Sequence, residues 1–165
     1  MKKIIAILLT MLMFASAAHA TCYLGTPVFD DAGGFEIVVS CTGSGTDEQI
    51  TIPISTIRGS GAREGFWITG VSAAPVAGAT APDAADVFLF KQVSSTIDLD
   101  LLGSTDGVTA VAGLNLLHAT IPKSTLCMTT DGANYVPRVM SDLILKITNQ
   151  ITVGSKWTNT ITGYR

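Results

Sequence analysis

The acidic segment DLDLLGSTDG, residues 98–107, holds the first residues whose types suggest chemistry. Three aspartates offer the oxygen ligands that calcium prefers: Asp98, Asp100 and Asp106. On an EF-hand loop that starts at Asp98, however, position 5 is Leu102 and position 12 is Thr109, and both positions require oxygen ligands. Alternating acids and leucines are typical of a strand with one solvated and one buried face. We therefore predict a strand and a bend here, with no metal ion.

Histidine and cysteine offer little for catalysis. His118 lies in the apolar run LLHATIP, which predicts a packed side chain, nine residues before Cys127. These two residues could meet on neighbouring strands, but a catalytic cysteine needs an orienting group and an electropositive cleft. The sequence contains neither a Gly-x-Ser-x-Gly turn nor Cys and His at zinc-site spacing. We predict no catalytic residue, no metal ligand and no cofactor.

The carboxylates and the aromatic residues leave two functions open, namely glycoside hydrolysis and sugar binding. Paired carboxylates can come from distant strands, although the chain has only three glutamates: Glu36, Glu48 and Glu64. Trp67 and Trp157 are the tryptophans that could stack on sugars, and the position of Trp67 within a predicted strand favours the core. The glycine-rich segment RGSGAREG, residues 58–65, is interpreted as a connecting loop.

Two of the three cysteines suggest a disulfide. The segments CYLGTPVF, residues 22–29, and FEIVVSC, residues 35–41, flank the turn cluster DDAGG. A hairpin centred between residues 31 and 32 places Val28 opposite Phe35 and Cys22 opposite Cys41. Directly opposed antiparallel residues lie within disulfide range. We predict a Cys22–Cys41 disulfide.

The N-terminal residues predict export. Residues 1–20 combine the positive start MKK, the apolar run IIAILLTMLMF and the small-residue pattern ASAAHA. This order is that of a cleavable Sec signal peptide. We expect cleavage after Ala20 and a periplasmic or extracellular product that no longer spans a membrane.

The remaining residues, 21–165, have the length of a single domain. They carry thirteen acidic and eight basic residues, a formal net charge of −5. The absence of a basic patch from the sequence argues against nucleic acid as a partner.

The strand pattern predicts the fold class. Short stretches of β-branched and aromatic residues recur at a spacing of about ten residues, separated by Gly, Pro, Asn and Asp. The predicted strands, besides those of the hairpin, are residues 49–57, 64–72, 86–93, 141–149 and 159–165. We predict an all-β fold, specifically an antiparallel β-sandwich of immunoglobulin-like or jelly-roll-like type.

Residues 65–165 resemble small phage-encoded β-sandwich proteins that are grouped with virion structural genes. The blocks that carry the resemblance are GFWITGVSAAP, VAGATAPDAADV, DLDLLGSTDG, AGLNLLHATIP and YVPRVMSDLILKITNQ, in that order. The resemblance implies a non-enzymatic component of a virus particle or of a phage-derived assembly. It implies no catalytic residues.

Three functions are thus expected, in decreasing order. The first is a structural or interaction protein, phage-related, that binds a protein partner or itself through its surfaces. The second is an exported binding module, adhesin-like or carbohydrate-binding, with Trp157 exposed to a glycan. The third is a small secreted hydrolase.

Overall fold

The fold was analysed in a computed structural model of the chain. The structure describes residues 21–58, 65–94, 97–102, 114–116, 123–126 and 138–165. The predicted signal peptide, the segment around His118 and Cys127, and most of the loop at residues 58–65 lie outside these ranges.

The described chain consists of twelve strands and one short helix. The elements in the first half are β1 (Thr21–Leu24), β2 (Val28–Phe29), β3 (Gly34–Thr42), β4 (Glu48–Ile52), α1 (Ile54–Arg58) and β5 (Phe66–Pro75). The remaining strands are β6 (Asp86–Ser94), β7 (Ile97–Asp100), β8 (Leu114–Asn115), β9 (Lys123–Leu126), β10 (Arg138–Val139), β11 (Leu143–Thr148) and β12 (Lys156–Tyr164).

The strands form two antiparallel sheets. The larger sheet has the order β1-β3-β12-β5-β10, with β2 also paired to β3 and β9 to β5. The smaller sheet has the order β4-β11-β6-β7, with β8 also paired to β6. The predicted all-β class is therefore confirmed, and the choice between immunoglobulin-like and jelly-roll-like topology stays a prediction.

Both sheets contribute to one hydrophobic core. Alternate residues of β3 and β12 are buried, as is expected of strands with one face towards the core. The cluster combines side chains from the larger sheet with side chains from the smaller one, among them Ile37, Ile161, Leu89 and Leu145. The opposite face of β3 and β12 is outward and carries partly or fully exposed residues.

The N-terminal hairpin differs from its prediction by one residue. Cys22 pairs with Cys41 as expected, but Phe29, not Val28, lies opposite Phe35. The register changes between β1 and β2, where Pro27 has no N–H to donate to β3. The turn is correspondingly the three-residue loop 31–33, in which Gly33 has a φ of 89°. Three-residue hairpin loops commonly end on such a left-handed residue.

The strand predicted for residues 49–57 ends early. β4 stops at Ile52, and the helix α1 begins after Pro53. Asp142 accepts a hydrogen bond from the Ile54 N–H at 2.8 Å, which satisfies a donor that a helix start leaves unpaired. The alternating isoleucines of this segment therefore do not form one strand, because Pro53 cannot continue the ladder and a distant carboxylate stabilises a helix start.

Candidate interaction sites

The disulfide lies at one end of the larger sheet. Cys22 and Cys41 are bonded across β1 and β3, with Cα atoms 4.1 Å apart, which confirms the predicted pairing. The Glu48 carboxylate accepts a hydrogen bond from the Cys22 N–H at 3.1 Å. Because Glu48 belongs to β4, this bond joins the edges of the two sheets. A disulfide of this kind fits an oxidising compartment.

Trp157 lies beneath this end and not on the surface. It pairs with Cys41 in the sheet and is 1% exposed. Asn159, two residues further on the same inward face, donates its side-chain N–H to the sulfur of Cys41 at 3.4 Å. Trp157 is therefore a core residue, and the carbohydrate hypothesis that depended on its exposure loses that support.

Two loops beside the disulfide fix each other. We call residues 43–47 and 149–155 the loop tip. Gln150 is buried, and its side chain accepts a hydrogen bond from the Ser44 N–H at 3.2 Å and donates one to the Thr46 carbonyl at 2.8 Å. Gly43 and Gly154 exchange further backbone bonds between the loops, Gly43 N–H to the Ser155 carbonyl and Gly154 N–H to the Gly43 carbonyl, each 2.8 Å.

The loop tip presents aliphatic side chains to solvent. Ile151 is 69% exposed and Val153 is 61% exposed, although Gln150 beside them is buried. Val76 is also exposed, and its N–H donates to the Lys156 carbonyl at this same end of the sheet. Exposed aliphatic residues on a hydrogen-bonded backbone form a surface that is already ordered before any partner binds.

A groove of about 420 Å³ lies at the opposite end of β3 and β12, on the outward face. We call it the hairpin groove. Its lining includes the side chains of Val28, Asp30, Glu36, Thr69 and Thr162. Thr69 is the extra residue of a β-bulge, because Thr162 pairs with Gly70 and Gly163 pairs with Ile68. The bulge turns the Thr69 hydroxyl towards Thr162, with the two oxygens 3.1 Å apart.

An aromatic pair lies on the same outward face, but neither of its rings lines the hairpin groove. Trp67 and Tyr164 lie opposite each other on β5 and β12, with ring centroids 6.1 Å apart and planes at 21°. Tyr164 is 41% exposed, and Trp67 is only half-buried. Trp67 was expected in the core, and that expectation is wrong because its position in the strand alternation assigns it to the outward face.

A second groove, of about 310 Å³, lies between β6 and the segment that follows β10. It combines two basic side chains with two exposed apolar ones: Lys91, Arg138, Val93 and Met140. Arg138 pairs with Trp67 in the sheet, so this groove lies beside the strand that carries Trp67.

The acidic segment of residues 98–107 lies partly within the described ranges. β7 ends at Asp100, the chain bends at Leu101 and Leu102, and both leucines are buried. The Asp100 carboxylate accepts a hydrogen bond from the Leu102 N–H at 2.9 Å. Burial raises the pKa of this carboxyl above its usual value, and the bond from Leu102 partly opposes that shift.

The other residues of that prediction, and most of the catalytic candidates, are outside the described ranges. This applies to the Asp98 side chain and to Asp106, His118, Cys127 and Glu64. Within the ranges that are described, no three His, Cys, Asp or Glu side chains converge as metal ligands would. The same residues include no helix with the length and apolar character needed to cross a membrane.

Comparisons with protein-family models, curated proteins and solved structures found no match to this chain. The candidate sites therefore have to be judged on their own geometry.

Sequence reasoning did not find the loop tip or the hairpin groove. Ile151 and Val153 alternate with Thr152 as core residues of a strand would, so their exposure has no clear sequence signal. The groove combines residues from β3, β5 and β12 that become neighbours only through the strand order. The alternation TNTITGY, residues 158–164, does indicate that Thr162 and Tyr164 share one face.

Proposed function

We propose that this protein is an exported interaction domain without a reaction centre, and that it docks on a protein partner through the loop tip. The observation that carries this proposal is the exposure of Ile151 and Val153 on a backbone that Gln150 and the glycine bonds hold in place. Contiguous exposed apolar surface is a mark of interaction sites, and Ile151 and Val153 expose two aliphatic side chains on one loop. A loop that is ordered before binding loses little conformational entropy on docking.

We also propose that the protein belongs to a virus particle or to a phage-derived assembly. The support is the resemblance of residues 65–165 to virion-associated β-sandwich proteins, together with the all-β architecture. Export is proposed from the signal-peptide pattern of residues 1–20 and is supported by the Cys22–Cys41 disulfide.

The docking proposal is tested by photo-crosslinking in the producing cells. A photoreactive amino acid at position 151 is expected to capture a defined protein, identified by mass spectrometry as a particle or assembly component. The double variant Ile151→Asp/Val153→Asp should weaken that partner's binding by at least about tenfold, because a charge is placed in an apolar contact.

The matched control is Val93→Asp, an equally exposed valine on β6. It should keep the binding of the same partner, and all variants should keep the thermal unfolding midpoint of the parent protein. Retained binding by the double variant, or equal loss with the control, would refute docking through the loop tip.

A further inference from the structure

We propose that the outward face of the larger sheet docks on a second copy of this chain and forms a two-fold symmetric dimer. The part of the face that takes part lies around Tyr164, near the end of β12, and we call it the dimer face. The dimer does not rest on the proposed function, because the loop tip lies at the other end of β12. The two proposals can therefore fail independently.

Strand pairing places the aromatic pair in the middle of the dimer face. Tyr164 pairs with Gly34 of β3 on one side and with Trp67 of β5 on the other, and Trp67 pairs in turn with Arg138 of β10. The two rings are stacked, and both remain partly exposed. Tryptophan and tyrosine at the centre of a surface are enriched among the residues that contribute most to protein–protein binding.

The side of the dimer face that contains the hairpin groove is acidic. Asp30 and Glu36 line that groove and are exposed, and Val28, which pairs with Glu36, is 67% exposed. The guanidinium of Arg165 lies over the Phe29 ring, on the core-facing side of this hairpin. It is therefore directed away from the two carboxylates.

The side that contains the second groove is basic. Arg138 is exposed and faces outward with Trp67, because Val139, the next residue, is buried in the core. Lys91 lines the same groove, together with Met140, which is 60% exposed. Each side of the dimer face thus combines two like charges with an exposed apolar side chain.

The centre of the dimer face on β12 carries short uncharged side chains. The outward residues that precede Tyr164 are Thr162 and Thr160, and the Thr69 hydroxyl of β5 lies 3.1 Å from that of Thr162. Depletion of charge at the centre, with charge at the rim, is the usual composition of a protein interface.

A two-fold axis makes these two sides complementary. An axis that lies between the two copies, parallel to the strands, and passes between Tyr164 and Trp67 exchanges the acidic and basic sides. It places Glu36 of each copy opposite the basic side of the other, and Trp67 of each opposite Tyr164 of the other. Such self-complementarity is what a closed two-fold interface requires. An axis across the strands would instead bring like charges together, which is unfavourable.

The charges are available for this contact. Among the residues that the structure describes, neither Glu36 nor Arg138 forms an ion pair. The dimer face is five strands wide, from β2 to β10, which is about 19 Å. A surface of this width is at the small end of specific interfaces, so a reversible dimer is expected.

The first test is sedimentation equilibrium of the complete exported protein. Between about 1 and 300 µM, a monomer–dimer equilibrium is expected with a Kd of about 10–100 µM. Raising the salt concentration to about 1 M should weaken the dimer severalfold, because charges at the rim are screened. The variant Ile151→Asp/Val153→Asp should dimerise as the parent does, which separates this result from docking through the loop tip.

Charge reversal then tests the orientation. Glu36→Lys places a positive charge on the acidic side, and Arg138→Glu places a negative charge on the basic side. Each variant alone should raise the dimer Kd by at least about tenfold, because like charges then meet. An equal mixture of the two variants should restore dimers, because each variant presents the charge that complements the other.

The matched control is Lys146→Glu, an exposed residue of β11 in the smaller sheet, which changes the net charge by as much as Arg138→Glu does. It should keep the dimer Kd of the parent, and with Glu36→Lys it should form mixed dimers more weakly than Arg138→Glu does. Trp67→Ala should weaken the dimer by about tenfold. Tyr23→Ala, an exposed aromatic residue of β1, should leave the Kd unchanged.

Four outcomes overturn the proposal. They are a protein that is monomeric at every concentration, oligomers that keep growing with concentration, single charge variants that dimerise like the parent, and a mixture no stronger than the one with Lys146→Glu. Misfolding cannot produce the expected pattern, because a misfolded variant would not regain dimers on mixing.

Discussion

The two ends of β3 and β12 carry different kinds of surface. At the end near Cys41 the chain projects Ile151 and Val153 from loops that are fixed by a disulfide and a buried glutamine. At the other end the outward face forms a groove lined with carboxylates and hydroxyls beside an aromatic pair. A projecting aliphatic surface suits a protein partner, whereas the groove at the other end is recessed and mixes polar with apolar side chains.

The two ends of β3 and β12 are also held in place differently. The loop tip depends on a cross-link and on one side chain that reaches between loops, while the groove depends on strand pairing and on a bulge. Since the anchors differ, removing one of them should loosen one end and leave the other intact.

The largest effect is expected from the disulfide. The double variant Cys22→Ala/Cys41→Ala should lower the free energy of unfolding by about 3 kcal/mol, because the bridge closes a loop with a sequence separation of 19. Urea unfolding followed by the fluorescence of buried Trp157 measures this change. Amide exchange should accelerate more in residues 43–47 and 149–155 than at residues 34–36. An equal acceleration at both ends would contradict the separate anchoring of the two surfaces.

A smaller effect is expected from Gln150→Ala. The change removes two hydrogen bonds from a buried side chain and should cost about 1–2 kcal/mol, measured by urea unfolding. It should also weaken partner binding by the loop tip without altering the hairpin groove. The matched control is Gln49→Ala on the exposed face of β4, which should change stability by less than about 0.5 kcal/mol. Equal costs for the two glutamines would remove the argument for a pre-ordered tip.

The smallest effect is expected from a change at Asp100. This residue lies in the smaller sheet and not at either end of β3 and β12, so it serves as a reference for both surfaces. The folded state holds the proton of this carboxyl more tightly than the unfolded state, because burial raises its pKa. The contribution of Asp100 to stability is therefore full at acidic pH and is lost as pH rises through the raised pKa.

Asp100→Asn should accordingly stabilise the protein at neutral pH by at most about 0.5 kcal/mol, since an amide oxygen can still accept from the Leu102 N–H. The gain should disappear below the usual pKa of an aspartate. Thermal unfolding of both proteins across pH 3–7 measures it, and a stabilisation that grows towards acid would contradict the assigned cause.

The sequence predicted more of the fold than of the candidate sites. The strands at β3, β5, β6 and β11 and the Cys22–Cys41 bridge follow from local alternation and turn residues, which act over a few positions. The helix after Pro53 and the one-residue change in the hairpin register could not be predicted in this way. The helix start depends on the distant carboxylate of Asp142, and the register changes at Pro27, which has no N–H to donate. Trp67 was expected in the core but faces outward, and Trp157, whose exposure the carbohydrate-binding alternative required, is buried.

The sequence by itself determined the all-β class and the disulfide, since the period of two and the turn spacing are properties of adjacent residues. Only the tertiary structure decided which alternating residues face solvent, because the direction of a strand face depends on the sheet it joins. The side chain of Gln150 holds the loop that exposes Ile151 and Val153, and the strand order β3-β12-β5 brings Glu36, Thr69 and Thr162 together in one groove.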